Sequence, residues 1–321
     1  MNITKLAVAS VTLIALSSGC SGAGDAANAP DVGNPELAPA TEAKTAEPPM
    51  LGVHLTREEH ASRQATITPN VAGNMTYHGG KIMPTYVSKA IFWGAKWANS
   101  SFVGDKITGL DSWYTGHSNS NYSKTVDEYT GTNGKVGASG THQGHIIDTS
   151  TAKSGNSTSA ILAEVCKQVT AGNITVDPSG NGYYPVYVDL PRGSSGFCAY
   201  HSAGTCSGKA LQFAFFWSVD GDSGCDPQDT SGQHSQGLAA LANVSGHELA
   251  EARSDPANPG AWFDSSGAEN GDKCAWTFGA PLVTFSNGTK WKIQGEWSNA
   301  AFSAGTGYPN SSGQKGCLSG L

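Results

Sequence analysis

Two stretches of the chain carry apolar residues at helical spacing, and its other hydrophobic positions fall in short, strand-like runs. From Ser157 to about Thr170, Ile161, Leu162, Val165, Cys166 and Val169 recur at i, i+1, i+4, i+5 and i+8, which places them on one face of a helix. Gly172 stops it. A second helix is predicted from about Gln236 to Arg253, where Leu238, Leu241, Ala242, Val244 and Ala250 recur. It ends at Ser254-Asp255-Pro256, because the residue before a proline disfavours the helical region. Lys89 to Gly94 reads as a buried strand, and Tyr183 to Leu190 and Leu211 to Val219 are aromatic and β-branched enough to be central strands. Lys290 to Trp297 supplies a last strand. Between Trp97 and Thr151, Gly, Ser, Thr and Asn predominate, which predicts loops and short irregular strands. The order helix, strand, strand, helix defines an α+β domain with a few helices packed on a mixed or antiparallel sheet.

The N-terminus has a different pattern. Lys5 precedes an apolar stretch from Leu6 to Leu16 and then Ser17-Ser18-Gly19-Cys20, the layout of a secretory signal. Small residues before a cysteine resemble the lipobox of bacterial lipoproteins, although Ser17 stands where a leucine is usual. Residues 1–20 are therefore expected to direct export, with a lipid anchor at Cys20. Residues 21–50 are rich in Ala, Pro, Gly and Glu and lack aromatics, as expected of a disordered tether. Residues 51–75 carry His54 and His60 but little periodicity and read as linker, pro-segment or N-terminal arm. The globular domain is expected over residues 76–321.

Composition narrows the partners. The 321 residues include 19 Lys or Arg and 26 Asp or Glu, a formal charge of −7, which argues against nucleic acid. Beyond the first twenty residues no apolar run approaches the ~18–20 needed to span a bilayer. Setting Cys20 aside leaves Cys166, Cys198, Cys206, Cys225, Cys274 and Cys317, an even set in an exported chain. They predict three disulfides, whose pairing spacing alone does not choose. None forms a C-x-x-C pair, which weighs against a thiolate zinc site.

The chemistry concentrates in Gly246-His247-Glu248-Leu249-Ala250-Glu251. Residues four apart on a helix share a face, so His247 and Glu251 are placed to grip one ion, with Glu248 beside it. This is the spacing of H-E-x-x-H metalloproteases with Glu251 replacing the second histidine, and it casts Glu248 as general base. A third ligand is expected from Glu269-Asn270-Gly271-Asp272-Lys273-Cys274, through Glu269 or Asp272, with Asp264 a weaker candidate. One imidazole among carboxylates suits zinc but also manganese or calcium. His201 is a candidate fourth ligand or hydrogen-bond donor to a developing oxyanion, weighed against a structural role beside a disulfide. His142 and His145 fall in a glycine-flanked stretch expected to be a solvated loop. Trp93, Trp97, Trp113 and Tyr114 are candidates for a sugar-stacking groove or for the core.

Several of these motifs together resemble the exordium-like, or phosphate-induced, family of plant cell walls and secreted bacterial proteins. They are Tyr77-His78-Gly79-Gly80, Phe197-Cys198-Ala199-Tyr200-His201, the His247 helix, Ala261-Trp262-Phe263-Asp264, Glu269 to Cys274, and Trp291-Lys292-Ile293-Gln294-Gly295-Glu296-Trp297. The resemblance spans residues 76 to 321. It implies a secreted protein and places Glu269 and Asp272 beside the His247 helix. The expected function is a secreted or lipid-anchored metal-dependent hydrolase, a zincin-like peptidase acting on a peptide or cell-wall substrate. The alternative is a non-catalytic module binding wall polysaccharide, in which an ion or the acidic cluster braces the fold.

Overall fold

A computed structural model describes residues 47–66 and 73–321. The expected signal segment, Cys20 and most of the Ala/Pro-rich stretch lie outside the described residues. The compact unit runs from Ala46 to Leu321, so the fold starts well before Thr76. Gly52–Leu55 forms a strand, β1, and Arg57–Thr66 a helix, α1. The alternation in Gly52-Val53-His54-Leu55 is two-sided, with Gly52 and His54 buried and Val53 and Leu55 half-buried. Thr56 Oγ1 accepts from the Glu59 N–H and starts α1.

The remaining large elements are β2 (Tyr86–Trp93), α2 (Lys106–His117), β3 (Gly140–Asp148), α3 (Thr158–Thr170), β4 (Gly182–Pro191), β5 (Phe197–Cys206), β6 (Lys209–Ser218) and α4 (Gln236–Ser254). The strands form one six-stranded sheet in the order β1-β5-β6-β4-β2-β3. The β6-β4, β4-β2 and β2-β3 pairs are parallel, and β1-β5 and β5-β6 are antiparallel. The sheet is therefore mixed, as one of the two sequence readings has it.

The stretch between Trp97 and Thr151 differs from expectation, for it holds α2 and the edge strand β3. Glycine and threonine are weak signals for either element, and tertiary packing decides. His142 and His145 belong to β3, not to a solvated loop. Both contact Asp111 of α2, His142 Nε2 at 2.9 Å and His145 Nδ1 at 2.7 Å, so they pin helix to strand. Phe197 to His201 is the first half of β5, and Lys290 to Trp297 is two short strands, Lys290–Trp291 and Glu296–Trp297, rather than one. Trp93, Trp97, Trp113 and Tyr114 are all buried in the core, which removes them as a sugar platform.

α4 is buried along its length. Ser235 caps it by accepting from the Leu238 N–H at 3.2 Å. Its many Gly and Ala residues let neighbours approach closely: a β-carbon on Gly246 would lie 2.7 Å from Ile293 and 2.9 Å from the Tyr122 hydroxyl. Such a helix is held by packing on both sides, not by amphipathicity. The cysteines pair as Cys166–Cys206, Cys198–Cys225 and Cys274–Cys317, with Cα separations of 5.2, 5.8 and 5.8 Å. The last pair ties the acidic turn to the C-terminal strand Lys315–Leu318. No described helix is long and apolar enough to cross a membrane.

Candidate metal centre

α4 passes beneath β5 and β1 and delivers His247, Glu248 and Glu251 to their underside. β5 contributes His201 at its centre, and the turn after β5 and α4 have been laid down, Glu269 to Cys274, comes against the C-terminal half of α4. Its one-turn helix α5 spans Asn270–Lys273. The Asp272 N–H donates to Glu251 Oε1 at 3.0 Å and joins turn to helix. All six residues singled out from the sequence thus meet in one place, and only Asp272 has appreciable exposure, 27% of its side chain. Asp264 does not join them; its carboxylate is engaged by Lys273 and Ser266.

Two sets of possible ligand atoms share Glu251. In one, His201, Glu248 and Glu251 each offer an atom within 4.8 Å of the others; in the second, His247, Glu251 and Asp272 do so. The first has the better construction. His201 Nδ1 is 3.4 Å from Glu248 Oε2 and 3.6 Å from Glu251 Oε2. A tetrahedral ion with arms of about 2.0–2.1 Å holds its ligands about 3.3–3.4 Å apart. All three atoms are buried without a hydrogen-bond partner, an arrangement that costs roughly 1–3 kcal/mol per atom when nothing else satisfies it.

The outward atoms of the same three side chains are all held. Glu248 Oε1 accepts the His54 N–H at 3.2 Å, Glu251 Oε1 accepts that of Asp272, and His201 Nε2 faces the Asp255 carbonyl at 3.2 Å. A carbonyl only accepts, so neutral His201 keeps its proton on Nε2 and turns a bare Nδ1 lone pair toward the two carboxylates. Metal-binding histidines are oriented in this way.

His247 is arranged differently. The Gln294 amide nitrogen donates to His247 Nδ1 at 3.0 Å and to the Gly271 carbonyl at 2.9 Å. Neutral His247 then carries its proton on Nε2, which lies 3.0 Å from Glu251 Oε1 and 3.8 Å from Asp272 Oδ1. In that tautomer the nitrogen turns its proton toward Glu251, although it too is buried without a hydrogen bond and belongs to the second candidate set. Glu269 lies on the far side of His201, its Oε2 3.9 Å from Nε2 and without a hydrogen bond.

The charges say what the site lacks. Burial opposes charging both imidazoles, yet the surrounding carboxylates overcome it. Glu269, Glu248 and Glu251 hold His201 well above its ordinary pKa, and Glu251, Glu248 and Asp272 raise His247 to about 10. Burial raises Glu248, pushes Glu269 well up, and, with the Glu251 charge, takes Asp272 to about 8. Glu251 alone falls, to about 2, because His247 and His201 outweigh its burial. Four carboxylates facing two imidazoles call for positive charge, which protons supply when no cation does.

Asp272 also lines a cavity of about 470 Å³ with Val53, Leu55, His60, Asp264 and Lys273. It is the one member of the cluster shared with that opening. Sequence reasoning missed His54, Gln294 and Gly52. His54 and Gln294 serve by orienting other groups, for which no spacing rule exists, although Gln294 lies within a motif already noted. No family model, curated protein or solved structure matches the chain, so it is assigned to no family.

Proposed function

We propose that the protein is an exported, metal-dependent hydrolase acting on peptides, with a divalent ion held by His201 Nδ1, Glu248 Oε2 and Glu251 Oε2. The observation that carries this reading is the convergence of those three buried, unpartnered atoms at ligand spacing. One imidazole and two carboxylates make a three-residue, zinc-hydrolase type of ligand set, and manganese fits it too. The ion would acidify a bound water and polarise a carbonyl. Around it, the His247 Nε2–H is placed to donate to an oxygen gaining negative charge. Asp272, partly exposed to the cavity and beside the cluster, is placed to exchange a proton with the site. Three disulfides and the signal-like N-terminus support export. The exordium-like motifs, which contribute His201, the His247 helix and the acidic turn, agree with a secreted protein.

A second reading has its own support. The ligand atoms are fully covered in this structure, and closed sites are usually structural. There the ion would brace α4 against β5 and the acidic turn without turnover.

Zinc content and peptide cleavage of Glu248→Gln and Asp272→Asn separate these roles. The proposal expects Glu248→Gln to lose the metal, and Asp272→Asn to keep it while losing roughly 10²–10⁴ in rate. A Glu248→Gln protein that keeps its metal and loses activity would return Glu248 to general base and His247 to the ligands. Metal in every form with no cleavage of a broad peptide mixture would leave the structural reading.

A further inference from the structure

The covering of the site is itself a peptide. From Pro49 to Thr56 the chain runs along β5. Pro49 accepts from the Ser202 hydroxyl at 2.6 Å, the Leu51 N–H donates to the His201 carbonyl at 3.0 Å, and the Thr56 N–H donates to Gly196 at 3.0 Å. β1 pairs antiparallel with β5, Gly52 opposite His201 and Val53 opposite Tyr200. It is the sheet's edge on this side, and without it β5 would be.

At Gly52 the strand passes directly over the proposed ligands. A β-carbon there would lie 2.1 Å from Glu251 Oε2 and 2.6 Å from His201 Nδ1. No side chain fits, and only bare backbone is admitted. Two residues on, the His54 N–H is spent on Glu248. The strand therefore makes main-chain bonds to β5 on one side and lays main-chain atoms on the ion-binding atoms on the other. Main-chain recognition by strand addition is how a site takes an extended peptide, and the close approach at Gly52 requires of that peptide a glycine opposite His201.

We propose that the edge of β5 is the peptide-binding track of this protein, its ligand an extended peptide lying antiparallel to β5, and that residues 48–56 occupy it in cis as a substrate-like blocking segment. This rests on the hydrolase reading for its consequence, but not for its test. The segment is held at its C-terminal end by Arg57, whose Nε donates to the Asp226 carbonyl at 2.8 Å and whose guanidinium lies 4.4 Å over Trp276, and by Trp276 Nε1, which donates to the Leu55 carbonyl at 3.0 Å; the buried His54 ring, 3.0 Å from Gln294 Oε1, and the Thr158 hydroxyl, which donates to the Pro48 carbonyl, hold it further along. None of these groups is a proposed ligand.

The test uses the full chain loaded with zinc and a fluorescent synthetic peptide of residues 50–56, followed by anisotropy. If the segment is seated ~99% of the time, added peptide binds the wild type ~100-fold more weakly than an opened protein. Arg57→Ala, which loosens the anchor, and Gly52→Ala, which cannot seat, are each expected to tighten binding at least about tenfold. Both should retain cooperative melting, and Arg57→Ala its zinc. Equal binding by wild type and folded variants, or none by any, would overturn the inference. Product analysis is read separately. Tightened binding without cleavage keeps the inference and removes the hydrolase; cleavage without tightened binding does the reverse.

Discussion

The most direct consequence of the unpartnered cluster is that a cation should stabilise the fold substantially. The perturbation is stripping the protein with a chelator and titrating back zinc, manganese or calcium. Three buried candidate ligand atoms, His201 Nδ1, Glu248 Oε2 and Glu251 Oε2, face one another without a hydrogen bond. What a melt reads is set by mass action: at free metal ~1,000-fold above Kd the gain is about 4 kcal/mol. For a domain of this size each kcal/mol moves the midpoint by ~2–4 °C, so Tm should rise by about 8–16 °C. Glu251 belongs to both possible ligand sets, so Glu251→Gln should do more harm than the ~10–100-fold loss seen on altering a group that merely supports a ligand. At the same metal concentration its gain then shrinks to below ~1.4 kcal/mol. The assay is circular dichroism melting beside elemental analysis of the purified protein. If no metal copurifies and none of the three shifts Tm by more than about 1 °C, well under the expected 2–4 °C per kcal/mol, the cluster is not a cation site.

Two further outcomes follow from the same geometry. In the metal-free protein, Asp272 is raised to about 8 and His247 to about 10. Raised groups stabilise below their unfolded pKa and lose that contribution as pH climbs through the folded value. Buried His54, His60 and His117 are lowered and oppose this below about pH 6.5, so the stripped protein should melt progressively lower from about pH 7 to pH 10, while the metal-induced gain grows because ligands must shed protons; a flat pH–Tm profile over that range would contradict this. Removing Cys274–Cys317, 43 residues apart in sequence, should cost about 4 kcal/mol by chain entropy and also weaken metal binding, since it anchors the turn bearing Asp272. Removing Cys166–Cys206, 40 apart, should cost a similar amount in melts and leave metal affinity unchanged.

The fold was legible where a segment's own periodicity agreed with its tertiary role. α3, β4, β6 and α4 all have apolar patterns that survive packing, and each falls within a few residues of its expected bounds. β3 did not announce itself. It is an edge strand whose residues are half-exposed or exposed throughout, so Thr141-His142-Gln143-Gly144-His145 has no reason to look buried. α2 places Trp113, Tyr114 and His117 inward but interrupts its pattern with Gly109 and Gly116, which admit Leu238 and Asn287 against the helix. β1 is only four residues long, too short for alternation to be told from chance.

The site was legible as a list of residues but not as an assignment of roles, and the reason is general. Helical spacing states which side chains share a face; it does not state which nitrogen of an imidazole is left free. His247 and His201 are equally buried histidines beside the same glutamates. What separates them is the atom behind each ring. A main-chain carbonyl behind His201 turns a lone pair into the cluster, whereas an amide N–H behind His247 turns a proton into it. Those partners, Asp255 and Gln294, come from the end of α4 and from a short C-terminal segment, and the spacing of H-E-x-x-E carries no information about either. The sequence pattern therefore points to the set His247, Glu251 and Asp272, and carries no sign of the other set through His201 on the neighbouring strand. The same holds for Gly52: one small residue in an unpatterned N-terminal stretch becomes the point where the chain crosses the buried cluster, because there antiparallel pairing with β5 brings main chain against His201.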